Sequence, residues 1–404
     1  DQAVGAVGTA NTYIGIFIIM FSVISSGMVA VMTQNIGAGR PGVAYQARQL
    51  GLTFNAVLGI IVSLILAFGA GAILAGVGVA DALMQPARTY LQIVGGFCIL
   101  NALIPICSSY LRAFGFSKEP LYASIIGNVI NFCLNAFFLF VLHKGVAGVA
   151  AATVISRIIN LVIVVLLGAV LVKAKQHPER ESNREVMGQI IRIGLPSACE
   201  TAIYNVSMTL VIRFLNQMDA QGLNVTARSY TMQITNFSYC VGAALAQANA
   251  IMTGWHIGAK EYDACDRGTK KAAVIGVIVA VILETVFTLC SGWIMQLFSK
   301  DPQMVSLVGK LLAIDIVLEI GRVTNLVYGQ ALKTSGDAVF PVVMGACFMI
   351  LCSVGGTYLF GIRLGLLAVG AYIGMAGDEC VRAVGMYLRW KSGKWKEKGL
   401  VKSR

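Results

Sequence analysis

The sequence predicts an all-α membrane protein built from two homologous helical lobes. Of its 404 residues, 57% are hydrophobic and 12% charged. A soluble domain carries about twice that charged share. The apolar residues also fall in runs of about 20 or more, the length that crosses a hydrocarbon core. Short motifs recur at a nearly constant displacement, which makes the chain a tandem repeat.

The apolar runs predict eleven membrane spans, near residues 9–33, 50–77, 89–113, 120–142, 146–172, 188–217, 225–253, 270–296, 304–331, 339–361 and 364–388. Interruptions such as Gly95-Gly96, Pro105 and Gly194-Leu195-Pro196 suit spanning helices, which tolerate Gly and Pro better than soluble ones. The net charge of +12 raises nucleic acid as a partner. However, the basic residues sit at the ends of apolar runs, where they anchor spans, so the expected partner is the lipid bilayer. Ten cysteines occur singly, without C-x-x-C pairs or Cys/His clusters. They predict neither a metal site nor a disulfide framework and read as small buried hydrophobes.

Lys and Arg divide 21 against 5 between alternate connections. By the positive-inside bias, the C-terminus is cytoplasmic and residue 1 lies outside. Leu111-Arg112, Gly115 and Pro120 recur as Leu332-Lys333, Gly336 and Pro341, at a displacement of 221. Ile36-Gly37-Ala38 recurs as Ile257-Gly258-Ala259 at the same displacement. Gly145 to Val149 matches Gly365 to Val369, displaced by 220. The expected organisation is therefore an N-terminal lobe at 1–173, a cytoplasmic linker at 174–187, a C-terminal lobe at 188–388 and a basic tail at 389–404. Moving the span at 188–217 back by the repeat interval places its partner before residue 1. The first lobe is thus expected to have five of six spans, leaving eleven of twelve overall. Both lobes run the same way, a parallel repeat that predicts a transporter binding substrate between lobes and working by rocking.

Ionisable groups inside spans are costly, so they mark candidate sites. They are Arg157, Glu200, Arg213, Arg228, Glu284, Asp315, Glu319, Arg322, Asp378, Glu379 and Arg382. Arg213, Arg228 and Asp378 lie near span ends, where snorkelling would relieve them. Glu200 follows Pro196 by four residues, and the proline frees local carbonyls, so this carboxylate suits a cation or an exchanged proton. Its alternative is a hydrogen bond to a neighbouring helix. Asp315, Glu319 and Arg322 lie at i, i+4 and i+7 on one helix face, with Asn325 a turn beyond. They form either a proton or sodium relay or an internally neutralised lock. Asp378 and Arg382, at i and i+4, read as a structural pair. The matching polar groups in the first lobe are amides. Asn128, Asn131 and Asn135 fall at i, i+3 and i+7, and Asn11, Gln34, Asn101 and Asn160 add to them. With Tyr13, Tyr204, Tyr230 and many methionines, they suit an apolar, weakly polar substrate cavity.

Enzymatic chemistry is disfavoured, because no catalytic constellation stands out. Gly69-Ala70-Gly71 with Gly76 lies in a span without a preceding strand, so it serves packing rather than a dinucleotide. There is no Walker A motif, and the three histidines fall in loops. No cofactor is expected beyond a coupling ion, Na+ or H+.

The chain resembles the MATE (multidrug and toxic compound extrusion) family of the MOP flippase superfamily, bacterial branch. The resemblance rests on Gln34 to Gly39 and on Leu111-Arg112 through Gly115 to Pro120. Gly194 to Ser197, Glu319-Ile320-Gly321-Arg322-Val323-Thr324-Asn325, Gly336-Asp337 to Pro341, and Asp378 to Arg382 also carry it. It implies two six-helix lobes, antiport of organic cations or amphipathic small molecules against Na+ or H+, and coupling acids in the seventh and tenth spans. The chain departs from the family at several positions. Tyr204 stands where well-known members have the seventh-span glutamate, Arg322 where they have the tenth-span aspartate, and Asn135 where some have a fifth-span aspartate. The expected protein is a monomer in a bacterial cytoplasmic membrane. A flippase for lipid-linked oligosaccharide or another lipid is the competing reading. It needs a basic cavity, for which Arg157 and Arg322 are the candidates. A membrane scaffold or enzyme ranks below both.

Overall fold

The computed structural model describes residues 2–76, 81–173, 178–219 and 221–401. Ala174 to His177 of the expected linker and Lys402 to Arg404 of the tail lie outside the described residues. Among those described, the chain is all helix: α1 Gln2–Gly37, α2 Pro41–Gly76, α3 Leu83–Gly95, α4 Ile99–Ala113, α5 Lys118–Val141, α6 Gly145–Leu171, α7 Asn183–Met218, α8 Leu223–Gly258, α9 Tyr262–Leu289, α10 Ser291–Met295, α11 Pro302–Thr334, α12 Val339–Arg363 and α13 Leu367–Lys391. α3 and α4 form one span, bent by 43°. With the short α10 set aside, this gives the eleven expected segments among the described residues.

Six of them, α1, α2, α5, α6, α9 and α12, are apolar and long enough to cross a membrane on composition alone. The bent α3–α4 pair makes a seventh. α7, α8, α11 and α13 are long enough too, at 36, 36, 33 and 25 residues, but their composition alone does not mark them as spans. They are the helices that carry Glu200, Arg228, the Asp315–Asn325 face and the Asp378–Arg382 pair.

The chain forms two compact units, Asp1–Ala198 and Cys199–Arg404, divided within α7. In the first, α1 and α7 cross so closely that a Cβ on Gly27 would overlap the Ile190 carbonyl and one on Gly194 the Val23 carbonyl. Residues 178–182 are tied to the start of α2. The Gln46 amide donates to the Glu181 carbonyl at 2.7 Å and accepts from its N–H at 3.0 Å.

In the second unit, α11 is the central helix, packed by α8, α9 and α13. Its start is fixed by Asp301, whose carboxylate accepts from the Gln303 N–H at 3.0 Å, with Pro302 in the first turn. Small residues then allow close approach. A Cβ on Gly242 or Gly276 would come within 2.8 or 2.7 Å of the Val323 methyls. A Cβ on Gly321 would meet the backbone of Glu379 and Cys380 at 2.8 and 2.7 Å. Wide side chains at these points would push apart the helices that carry the charged groups.

The repeat appears in the backbone itself. Gly39 and Lys260, equivalent positions of the two repeats, both end their helices in the left-handed region at φ +71° and +60°. Gly115 and Gly336 do the same at +87° and +98°. Each closes its helix with the same bonds, as in Gly115 N–H to Arg112 carbonyl and Gly336 N–H to Lys333 carbonyl, both 3.0 Å. The third motif needs correction. The left-handed residues His143 and Gly145 correspond to Gly365 and Leu367, a displacement of 222 rather than 220. The tight packing agrees: Gly148 lies against Phe138, and Gly370 against Phe360. A small-residue run matched two positions out of register because Gly, Ala, Leu and Val there repeat among themselves.

The tail is folded back rather than merely charged. Trp395 stacks on Trp390 at 4.1 Å and 7° and donates its indole N–H to the Trp390 carbonyl at 2.9 Å. Trp390 donates to Asp266 at 2.9 Å.

Candidate functional site

The second unit gathers the charged groups. On α11, Glu319 is fully buried and accepts from Arg322 one turn later. Arg322 also reaches Glu379 on α13 at 3.8 Å. Glu379 in turn accepts from Asn325 at 3.0 Å and pairs with Arg382 at 2.8 Å. Arg382 grips Asp378 through two bonds of 2.9 Å, and Asp378 accepts from Ser353 at 3.0 Å. The result is a continuous ionic ladder linking α11, α13 and α12. Such a buried network is tolerated because nearly every charge has both a counter-ion and hydrogen bonds.

In and beside this ladder, three carboxyl groups are incompletely answered among the described residues. Asp315 is 2% exposed, and neither a hydrogen bond nor an ion pair reaches it among the described residues; its Oδ2 is an orphan. Glu319 has one orphaned oxygen. Glu284, fully buried on the apolar α9, has two. Its electrostatic neighbours are Asp315, Glu319 and Arg322.

Asp315 opens onto a cavity of about 270 Å³ inside this unit. One face of each of four helices lines it: Tyr204 and Met208 of α7, Arg228, Met232, Thr235 and Tyr239 of α8, Asp315, Leu318 and Arg322 of α11, and Tyr372 and Met375 of α13. The spacings of three and four residues are those of a helix face. Arg322 also lies over the Tyr239 ring at 5.9 Å.

Asp315, Glu319, Arg322 and Asn325 thus come together, as the sequence expected of one face, and Tyr204 joins Asp315 and Arg322 at the cavity. Glu200 does not join them: its partner is Lys333 at 2.5 Å, and no ion pair or hydrogen bond ties it to Asp315 or Glu319 among the described residues. Tyr230 packs on Phe298 at 5.4 Å and is absent from the cavity lining. In the first unit, Gln34 is fully buried, and Tyr13 packs on the apolar core of α1, α2 and α3. Asn135 donates to Asn131 at 3.0 Å and Asn131 to Ser156 at 3.3 Å. Asn128 is instead exposed on the outer face of α5.

Two readings are corrected. Arg228 and Asp378 do not snorkel, being 7% and 2% exposed, whereas Arg213 is exposed. Nor are the cysteines generally buried: Cys133, Cys199, Cys240, Cys290 and Cys347 face outward. Sequence reasoning noticed Glu284 and Glu379 but did not join them to the site. The available signal for Glu284 was a lone carboxylate in the apolar stretch 272–289 of α9, whose 18-residue window has a mean hydropathy of 2.5.

The MatE family profile matches residues 1–137 and 196–359, one stretch in each half. An uncharacterized transporter, YisQ of Bacillus subtilis strain 168, is 33% identical over 407 residues, covering 99% of this chain and 89% of its own. The probable multidrug resistance protein NorM of Thermotoga maritima is 21% identical over 99% of this chain and 87% of its own. Among solved structures, MATE in the straight conformation superposes with a TM-score of 0.88 at 19% identity, over 98% of this chain and 89% of the other. An outward-facing MATE transporter of the MOP superfamily superposes at 0.86 and 18%, over 99% and 89%. These likenesses fix the fold. The protein therefore belongs to the MATE family of multidrug and toxin extrusion transporters, membrane proteins that move small organic molecules and are not enzymes.

Proposed function

We propose that the protein is a cation-coupled exporter of cationic or amphipathic small molecules, exchanging them for H+ or Na+. Movement of one unit against the other supplies alternating access. The carrying observation is the Asp315 carboxyl group, buried at the wall of a cavity without a hydrogen bond or ion pair among the described residues. A buried carboxylate without donors is stable only when its charge is neutralised, by a proton or by a bound cation. Glu284 and Glu319 sit in the same field and extend the group that gains or loses such a charge. In this reading Arg322 and Glu379 lock α11 to α13 and keep the acidic group poised. Glu200, already neutralised by Lys333, takes a supporting part.

The relatives named multidrug resistance proteins support the substrate class, and the basic connections support a cytoplasmic C-terminus in a bacterial plasma membrane. Ethidium efflux from cells, with and without a sodium gradient, tests the reading. Asp315→Asn and Glu319→Gln are each expected to slow gradient-driven efflux at least tenfold, and Glu200→Gln less. Efflux that survives all three substitutions overturns the assignment of the coupling acids.

A further inference from the structure

The charges around the cavity are not answered evenly. Arg322 has two carboxylates, Glu319 and Glu379. Arg228, which lines the same cavity, has none among the described residues. It is 7% exposed, its Nε is an orphan, and its one hydrogen bond among the described residues is Nη2 to the Met208 sulfur at 3.8 Å. A thioether is a weak acceptor and leaves the guanidinium charge uncompensated. A buried cation held this way is expensive, and a carboxylate engaging it through two parallel bonds removes the expense. Hydroxyl and amide groups of Thr235 and Asn236 stand along the same wall, with Tyr204, Tyr239 and Tyr372 as ring surfaces.

We infer that the cavity recognises an organic carboxylate attached to a flat apolar or aromatic body, and that Arg228 is the residue that selects it. The inference rests on the cavity being the substrate site of the proposed exporter, and it adds carboxylate-bearing molecules to the cationic and amphipathic substrates proposed for it. Met208, Met232, Leu318 and Met375 cover the body, while Arg228 takes the carboxylate. Arg322 is a poor competitor because binding there would displace an existing carboxylate.

Equilibrium binding to the purified full chain tests this without any ion gradient. Three probes share one ring system and differ in charge: 2-naphthoate, 2-naphthamide and 2-naphthylmethylammonium. Naphthoate is expected to bind at least tenfold more tightly than naphthamide. Arg228→Gln is expected to erase that preference, and Arg228→Lys to restore part of it. Equal binding of acid and amide by the unaltered protein overturns the inference, and so does a preference that persists in Arg228→Gln. The probe series on the unaltered chain decides the matter even if the variants fold poorly. Loss of coupled ethidium efflux alongside a retained naphthoate preference would refute the exporter reading and leave the anion site standing.

Discussion

In the second unit Ser353 donates to Asp378 at 3.0 Å; at the corresponding positions of the first, Asn131 donates to Ser156 at 3.3 Å. Arg322 donates to Glu319, and at the matching pair in the first unit Asn101 donates weakly to the Cys98 sulfur at 3.8 Å. Glu284 corresponds to Ser63, whose hydroxyl accepts from the Ile99 N–H at 3.0 Å. The same helix positions meet in both units, but ionic contacts in one are neutral contacts in the other. A repeated scaffold evidently fixes which positions touch, while the residue types decide whether the contact carries charge. In this chain the acidic ladder belongs to one unit, and Arg157, the counterpart of Glu379, has the opposite sign.

The contrast can be broken experimentally, most forcibly at the paired contacts. Asp378→Asn removes one carboxylate from the buried Arg382 and is expected to cost about 3 kcal/mol, whereas Asn131→Ala should cost about 1 kcal/mol. Thermal unfolding in detergent measures both, and equal losses would mean that the ladder carries no special weight. Next in size is Gly321→Ala. Its new methyl would sit 2.7 Å from the Cys380 nitrogen and force α11 from α13, for a loss of about 1–3 kcal/mol. The matching position in the first unit is a buried leucine, Leu100. The same unfolding assay, read with efflux, separates loss of fold from loss of coupling. The smallest effect is expected at the helix ends. Lys260→Gly relieves a left-handed lysine and should stabilise by up to about 1 kcal/mol, whereas Gly39→Ala should destabilise by about the same amount. Opposite shifts in melting temperature sharpen the equivalence of the two ends, and shifts of one sign refute it.

Much of the fold was legible because apolar runs and displaced motifs are properties of the chain alone. The Asp315–Glu319–Arg322 face and the Asp378–Arg382 pair were legible for the same reason, since helical spacing decides which residues share a face. What spacing does not reveal is the helix opposite. Glu379 bridges α11 and α13 across the close approach at Gly321, and Arg228 of α8 is buried with only the thioether of Met208 on α7 to bond among the described residues; both facts depend on packing between helices. Asn128 fell outside the expected amide stripe because α5 presents most of its surface outward, leaving only a narrow packed seam.

The chain has four tryptophans, and two of them lie face to face at the foot of α13. Rings stacked at 4.1 Å couple their electronic transitions, so this corner carries its own optical label. Because Trp395 belongs to the tail and Trp390 to the last helix, near-ultraviolet dichroism would register the tail's release without any added dye. A tag fused beyond Leu400 would therefore be placed next to the one signal best suited to report on whether that corner is intact.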